Sequence, residues 1–150
     1  MHLIQLYTDG AAKGNPGPGG YGVVLVSGVH RKELSCGYRL TTNNRMELLA
    51  VIVGLEALKA PGSQVTVYSD STYVVNAIEK GWLYRWQATG FKKIKNVDLW
   101  HRFLDVWPKF NVRFVWIRGH SGHIENERCD QLAVAAATQS QLMEDTGYSE

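Results

Sequence analysis

Between Met46 and Lys59 the chain places Leu48, Leu49, Val51, Ile52, Val53, Leu55 and Leu58 in one helix-length segment that Pro61-Gly62 closes. A helix that is apolar almost all round must be buried, and a sheet is what can cover it. The flanking sequence supplies the strands. Leu3–Tyr7, Tyr21–Val26 and roughly Lys32–Arg39 read as three strands joined by short turns, which predicts an antiparallel meander. The polar stretch Thr41-Thr42-Asn43-Asn44-Arg45 leads into the helix. Beyond it, Val65–Tyr68 is a fourth strand, Thr72–Glu79 a short helix and Lys80–Lys95 a helix-loop excursion. Val97–Trp107 has Trp100, Phe103, Leu104 and Trp107 at helical spacing, and Pro108 follows. Val112–Ile117 is a fifth strand and Glu125–Thr138 a last helix; from Gln139 the tail is polar and expected to fray. This order predicts an α/β fold: a mixed five-stranded sheet, three antiparallel strands then two parallel ones, flanked by helices.

With 150 residues and 45% hydrophobic content, the chain suits one domain over 1–150, with 80–95 a protrusion and 139–150 a tail. No apolar run is long enough to span a bilayer, and the first residues lack the features of a signal peptide. Cys36 and Cys129 lie far apart without Cys-x-x-Cys spacing, so reduced thiols and a cytoplasmic setting are expected. A monomer is the expectation, since no apolar patch beyond the core is evident. The net charge of +2 excludes little. Its distribution says more: Lys80, Arg85, Lys92, Lys93 and Lys95 fall in a segment with no acid, which suits a polyanion.

Ligands of open α/β sheets bind beyond the carboxyl ends of the strands. Asp9 closes the first strand in this reading and Asp70 the fourth. If those strands are adjacent and parallel, both carboxylates leave the same edge. Glu47 and Asp130 complete a set of four acids that would repel one another unless a cation joined them. Oxygen ligands in that number suit Mg²⁺ or Mn²⁺, and two such ions about 3.5–4 Å apart can serve in-line phosphodiester displacement. Each acid also has a local alternative. Glu47 could complete a capping box with Asn44, Asp70 could cap the next helix, and Asp130 could be a first-turn acid.

Other motifs are weaker. Gly17-Pro18-Gly19-Gly20-Tyr21-Gly22 formally fits G-x-G-x-x-G, but a strand follows it where a dinucleotide site needs a helix. His120 and His123 lack zinc spacing; a histidine beside an acidic metal site could instead move protons. Trp82 and Trp86, at i and i+4, could pack in the core or stack on nucleic acid beside Lys92 and Lys93.

Taken together, Tyr7-Thr8-Asp9-Gly10, Gly14-Asn15-Pro16-Gly17, Thr41 to Leu48, Ser69-Asp70-Ser71, Gly119 to His123 and Glu125 to Asp130 resemble bacterial ribonuclease HI, a type 1 ribonuclease H. The likeness runs from residue 3 to about 148 and includes Lys95 to Trp100 and Glu144 to Tyr148. It implies an endonuclease that cleaves the RNA strand of an RNA-DNA hybrid, leaving 5′-phosphate and 3′-hydroxyl ends. It also implies Asp9, Glu47, Asp70 and Asp130 as Mg²⁺ ligands, with two ions in the substrate complex, His120 as a catalytic loop histidine and Glu127 as an aid to product release. Gly10, Asn15, Asn43 and Thr72 match hybrid-contact positions, and Thr42, Arg45 and Asn96 a pocket for a DNA phosphate. Reading the 2′-hydroxyl on one strand and the deformability of the other is how a protein separates hybrid from pure duplex.

Two departures weaken the implied grip. Thr72 stands where relatives often carry a longer glutamine, and Gln87-Ala88-Thr89 replaces a basic triplet. An integrase-like strand-transfer enzyme of the same fold and a non-catalytic hybrid-binding module are the competing readings.

Overall fold

The computed structural model describes residues 3–119 and 122–149. Its five-stranded sheet comprises β1 (Leu3–Ala12), β2 (Gly17–Ser27), β3 (His30–Thr41), β4 (Gln64–Ser69) and β5 (Asn111–Trp116) in the order β3-β2-β1-β4-β5. β1 pairs antiparallel with β2 and β2 with β3, whereas β4 runs parallel to both β1 and β5. The helices are α1 (Asn43–Glu56), α2 (Thr72–Glu79), α3 (Trp82–Ala88), α4 (Val97–Val106) and α5 (Ile124–Ala137), with a 3₁₀ turn at Trp107–Lys109. The mixed architecture expected from the strand and helix order is the one observed. No helix among the described residues is long and apolar enough to cross a membrane.

Helix α1 packs on the sheet and against α4, with Met46, Leu48, Ala50, Val51, Ile52 and Leu55 fully buried. Trp100 is also fully buried, and a buried indole needs a partner for its N–H; Tyr73 Oη accepts it at 2.9 Å. α5 lies close over β2 and β3. Side chains at Gly20, Gly22 and Gly37 would collide with the α5 backbone, so these glycines set the depth at which α5 packs.

Element boundaries correct several expectations. β1 continues through Asp9 to Ala12 and β2 begins at Gly17, so Asp9 sits inside a strand paired with Gly22. What ends near Asp9 is the parallel ladder with β4, whose last pair is Tyr7 with Tyr68. Thr42, rather than Asn44, caps α1 by accepting the Arg45 amide N–H at 3.2 Å. The tail is anchored instead of frayed. The Met143 amide donates to Gly37 and its carbonyl accepts from Arg39, each at 2.9 Å.

Arg45 explains that anchoring. It is 2% exposed, and a charge so deeply buried is tolerated only when paired and hydrogen-bonded. Asp98 accepts from Nη1 at 2.9 Å and Nη2 at 2.8 Å, and Asp145 accepts from Nε at 2.7 Å and Nη2 at 2.9 Å. Asn96 Oδ1 takes the remaining Nη1 hydrogen at 3.3 Å. Burial opposes the guanidinium charge, and the hydrogen bonds it donates to Asp98 and Asp145 outweigh that, so its pKa is raised. Removing one partner of a buried ion pair costs about 3–5 kcal/mol. Asp145→Asn, which leaves Asp98 in place, is therefore expected to lower the unfolding free energy by about 3 kcal/mol in a urea titration. Wild-type stability would contradict this role.

Candidate active site

The parallel ladder sets the site. Tyr7 and Tyr68 are opposite one another, their rings stacked at 4.8 Å between centroids. Side chains alternate along a strand, so two residues further on, Asp9 and Asp70 emerge side by side on the face the tyrosines share. Glu47 comes from α1, one turn in from its start. Gly10 makes the approach of the helix possible, because a Cβ there would overlap the Glu47 amide. One carboxylate oxygen from each of Asp9, Glu47 and Asp70 lies within 4.8 Å of the others.

This arrangement is unfavourable without a cation. Burial, the Asp70 charge and, to a smaller degree, Asp130 push the Asp9 carboxyl up to about 7, against a lowering by hydrogen bonds from Glu47 and the Gly10 amide. Burial foremost, then Asp9 and Asp70, raise Glu47 well above the carboxylate range. Glu47 Oε1 and Asp70 Oδ1 are buried with no hydrogen-bond partner among the described residues. Unsatisfied buried acceptors are costly, and a hard divalent cation takes oxygen ligands of this kind. The donor set fits such an ion.

Asp130 lines the same cleft as these three, together with Gly10, Ala11, Ala12, Asn43, Asn44, Ser71, Thr72 and Tyr73. The local alternatives for the acids fail in each case. With Thr42 as cap, Glu47 lies beyond the capping-box position. Ser71 caps α2, accepting from the Val74 amide at 3.2 Å. Asp130 is a second-turn residue of α5, whose first turn holds Glu125 and Glu127. His120 lies outside the described residues. The neighbouring Gly119 backbone packs against the Asp70 carboxylate, and Trp116 Nε1 donates to the Asp70 carbonyl at 3.2 Å. His123 is exposed ahead of α5, and Glu127 is exposed on it.

A second cleft of about 680 Å³ adjoins the first, with Asn44 lining both. Asn15, Thr42, Arg45, Lys95 and Asn96 line it. Asn43 and Asn15 tie the β1–β2 turn to α1: Asn43 Oδ1 accepts the Ala12 amide at 2.7 Å, and Asn15 Oδ1 accepts the Asn43 amide at 3.1 Å. With both oxygens engaged, the side-chain amino groups are what these residues can offer a ligand.

The structure revises Arg45. All five of its N–H groups are spent on Asp98, Asp145 and Asn96, so it shapes the cleft without a donor left for a phosphate. Trp86 turns inward, edge-on to Trp100 at 5.5 Å, and Trp82 stands 6.4 Å from Trp86; both pack against the core. Lys92 and Lys93 are exposed and line neither cleft. Sequence reading missed Tyr73, Asp98 as a ligand of Arg45, and the tail. Only Tyr73, next to Asp70-Ser71-Thr72, carried a local signal.

A sheet of this order, with carboxylates just beyond the last rung of the central parallel ladder and a third on the crossing helix, defines a ribonuclease H-like protein with an acidic cation site. A family model described as RNase H matches residues 2–138. The chain is 61% identical over 150 residues to the ribonuclease H of Syntrophus aciditrophicus (strain SB), covering 97% of this chain and 86% of that one. It is 62% identical over 144 residues to that of Desulforamulus reducens, covering 93% and 90%. Among solved structures, LC9-RNase H1, a type 1 RNase H with the type 2 active-site motif, matches with a TM-score of 0.83 at 32% identity, covering 91% of this chain and 72% of that one. LC11-RNase H1, crystallised in complex with RNA/DNA hybrid, matches with a TM-score of 0.59 at 30% identity, covering 89% and 96%. The chain belongs to the ribonuclease H family.

The raised carboxyls fix a pH dependence for the metal-free protein. An acid whose pKa is higher folded than unfolded destabilises the fold above its folded value, about 7 for Asp9. The penalty is relieved as pH falls through that value and is gone below the unfolded value, about 4. Thermal unfolding in chelator is therefore expected to show Tm rising from pH 8 towards pH 5, with Mg²⁺ raising Tm more at pH 8. A Tm that falls over that range, or ignores Mg²⁺, would contradict the assignment.

Proposed function

We propose that this protein hydrolyses the RNA strand of RNA-DNA hybrids internally, leaving 5′-phosphate and 3′-hydroxyl ends. The observation that carries the reading is the convergence of Asp9, Glu47 and Asp70 within 4.8 Å beside a second cleft of different character. The first cleft is acidic; in the second Asp98 is paired with Arg45, and the remaining polar lining is amides, hydroxyls and Lys95. A duplex ligand can place the strand to be cut in one and the strand to be held in the other. The hybrid held by LC11-RNase H1 supports the same substrate here.

Asp9, Glu47, Asp70 and Asp130 would hold Mg²⁺, with Mn²⁺ an acceptable substitute and two ions in the substrate complex. Bound there, the cation supplies Lewis-acid polarisation of a phosphoryl oxygen. In the net reaction a water oxygen bonds to phosphorus, the bond to the 3′-oxygen breaks and that oxygen leaves protonated. We assign proton movement to His120 and product release to Glu127. The amides of Asn15 and Asn43, with the bare backbone of Gly10, would read ribose 2′-hydroxyls, which is how RNA is told from DNA. Thr72 is exposed in the acidic cleft and would touch the same groove. Thr42 and Asn96, with Lys95, would grip the DNA strand. Trp82, Lys92 and Lys93 would contribute a modest, salt-sensitive hold.

We infer that the protein acts as a monomer. Cys36 and Cys129 are free thiols, in keeping with a cytoplasmic location.

Asp70→Asn should reduce hybrid cleavage by at least a thousandfold while leaving hybrid affinity within a few-fold, since the carboxylate helps hold the cation that would stabilise negative charge developing on the phosphate oxygens. Matched hybrid, RNA duplex, DNA duplex and single-stranded RNA, each digested with Mg²⁺ and with chelator, complete the test. Cleavage confined to hybrid and abolished by chelator supports the reading. Cleavage of DNA duplex would favour the strand-transfer alternative.

A further inference from the structure

We propose that the C-terminal turn Asp145–Tyr148 forms part of the substrate surface, with Tyr148 contacting the backbone of the DNA strand; this rests on assigning the second cleft to that strand. The tail from Gln139 is polar and has no core stripe of its own, yet it is fastened at successive points. Met143 joins β3 through hydrogen bonds with Gly37 and Arg39. Asp145 accepts from Thr41 Oγ1 at 2.7 Å as well as from Arg45. The Tyr148 amide then closes a turn onto the Asp145 carbonyl at 3.1 Å.

Stabilising Arg45 requires the chain only as far as Asp145. The three residues beyond it are placed with equal care. Gly147 crosses directly over the Arg45–Asp98 pair, where a Cβ would collide with the Asp98 carboxylate and lie 3.0 Å from Arg45 Nη2. That passage delivers Gly147, Tyr148 and Ser149 to the wall of the second cleft, together with Asn15, Thr42 and Asn96. Tyr148 is half-buried there and outside the apolar core.

The chemistry of the cleft gives such a residue a use. Asp98 and Asp145 together outweigh the Arg45 charge by one, which leaves Lys95, among the described residues, as the unpaired cation lining the cleft. Attraction to a phosphate is therefore modest, and packing against the sugar-phosphate backbone carries more of the hold. A tyrosine suits that purpose, since its ring can cover a sugar while its hydroxyl donates to a phosphate oxygen whatever the base. Tyr148 is thus a binding residue whose loss weakens the Michaelis complex without touching the hydrolytic step.

The test uses the intact protein and hybrids in which single DNA-strand phosphates are replaced, one position at a time, by uncharged methylphosphonate. Wild type should show a raised KM at one or two positions. Tyr148→Ala should raise KM about five-fold on unmodified hybrid, with kcat and Tm unchanged. At those same positions the substrate change and the variant should combine to less than the product of their separate effects. Tyr148→Leu serves the same reading if the alanine variant loses its fold. A wild-type KM for the variant, or effects that multiply fully at every position, overturns the inference while leaving the cleft assignment intact. If no single replacement raises the wild-type KM, the cleft assignment falls and this inference with it.

Discussion

The parallel pairing of β1 with β4 is the constraint from which the site follows. Five residue pairs, from Leu3 with Gln64 to Tyr7 with Tyr68, lock the register. A slip of one residue would send one of the two aspartates to the opposite face of the sheet. The stacked Tyr7 and Tyr68 hold the last rung, and Asp9 and Asp70 follow at matched positions. Helix α1 is held against the same strands by its almost wholly apolar surface, and Gly10 lets it come close enough to add Glu47. Hydrophobic burial thus drives three like charges together, at an electrostatic cost that a divalent cation offsets.

The second cleft solves the opposite problem. Here a cation, Arg45, is buried, and two acids distant in sequence close around it. The result is a rigid wall in which Arg45 orients Asn96 and gives up its own donors. Asn96 in turn donates from Nδ2 to Tyr73 Oη at 3.1 Å, and Tyr73 lines the acidic cleft. The two clefts therefore share a continuous hydrogen-bonded partition running Arg45, Asn96, Tyr73. In the proposed assignment of the clefts, this partition sets the spacing between the strand held and the strand cut.

Local sequence signals identified the elements well because they are governed by periodicity: the apolar α1, the three hairpin-linked strands and the Trp100 stripe are all present, although α1 runs three residues earlier at both ends than the pattern put it. The four acids stood out only jointly, since each one alone looked like a helix cap or a first-turn acid. Those alternatives were resolved by boundary shifts of one or two residues, which sequence cannot fix: Thr42 rather than Asn44 opens α1, and Ser71 opens α2. The tail and Arg45 were misread for a different reason. An isolated polar segment has no periodicity to announce its partner, and Asp145 lies 100 positions from Arg45. Trp86 could face either way from its spacing, and its contact with Trp100 decides for the core.

The central claim is that acids from β1, α1 and the end of β4 are made compatible by a divalent ion held among them. Anomalous diffraction from a crystal of the protein grown with Mn²⁺ tests it most directly. The account predicts a strong peak enclosed by the carboxylates of Asp9, Glu47 and Asp70, lost in an Asp9→Asn crystal. Manganese bound only elsewhere on the surface, with those three carboxylates unchanged, would contradict it.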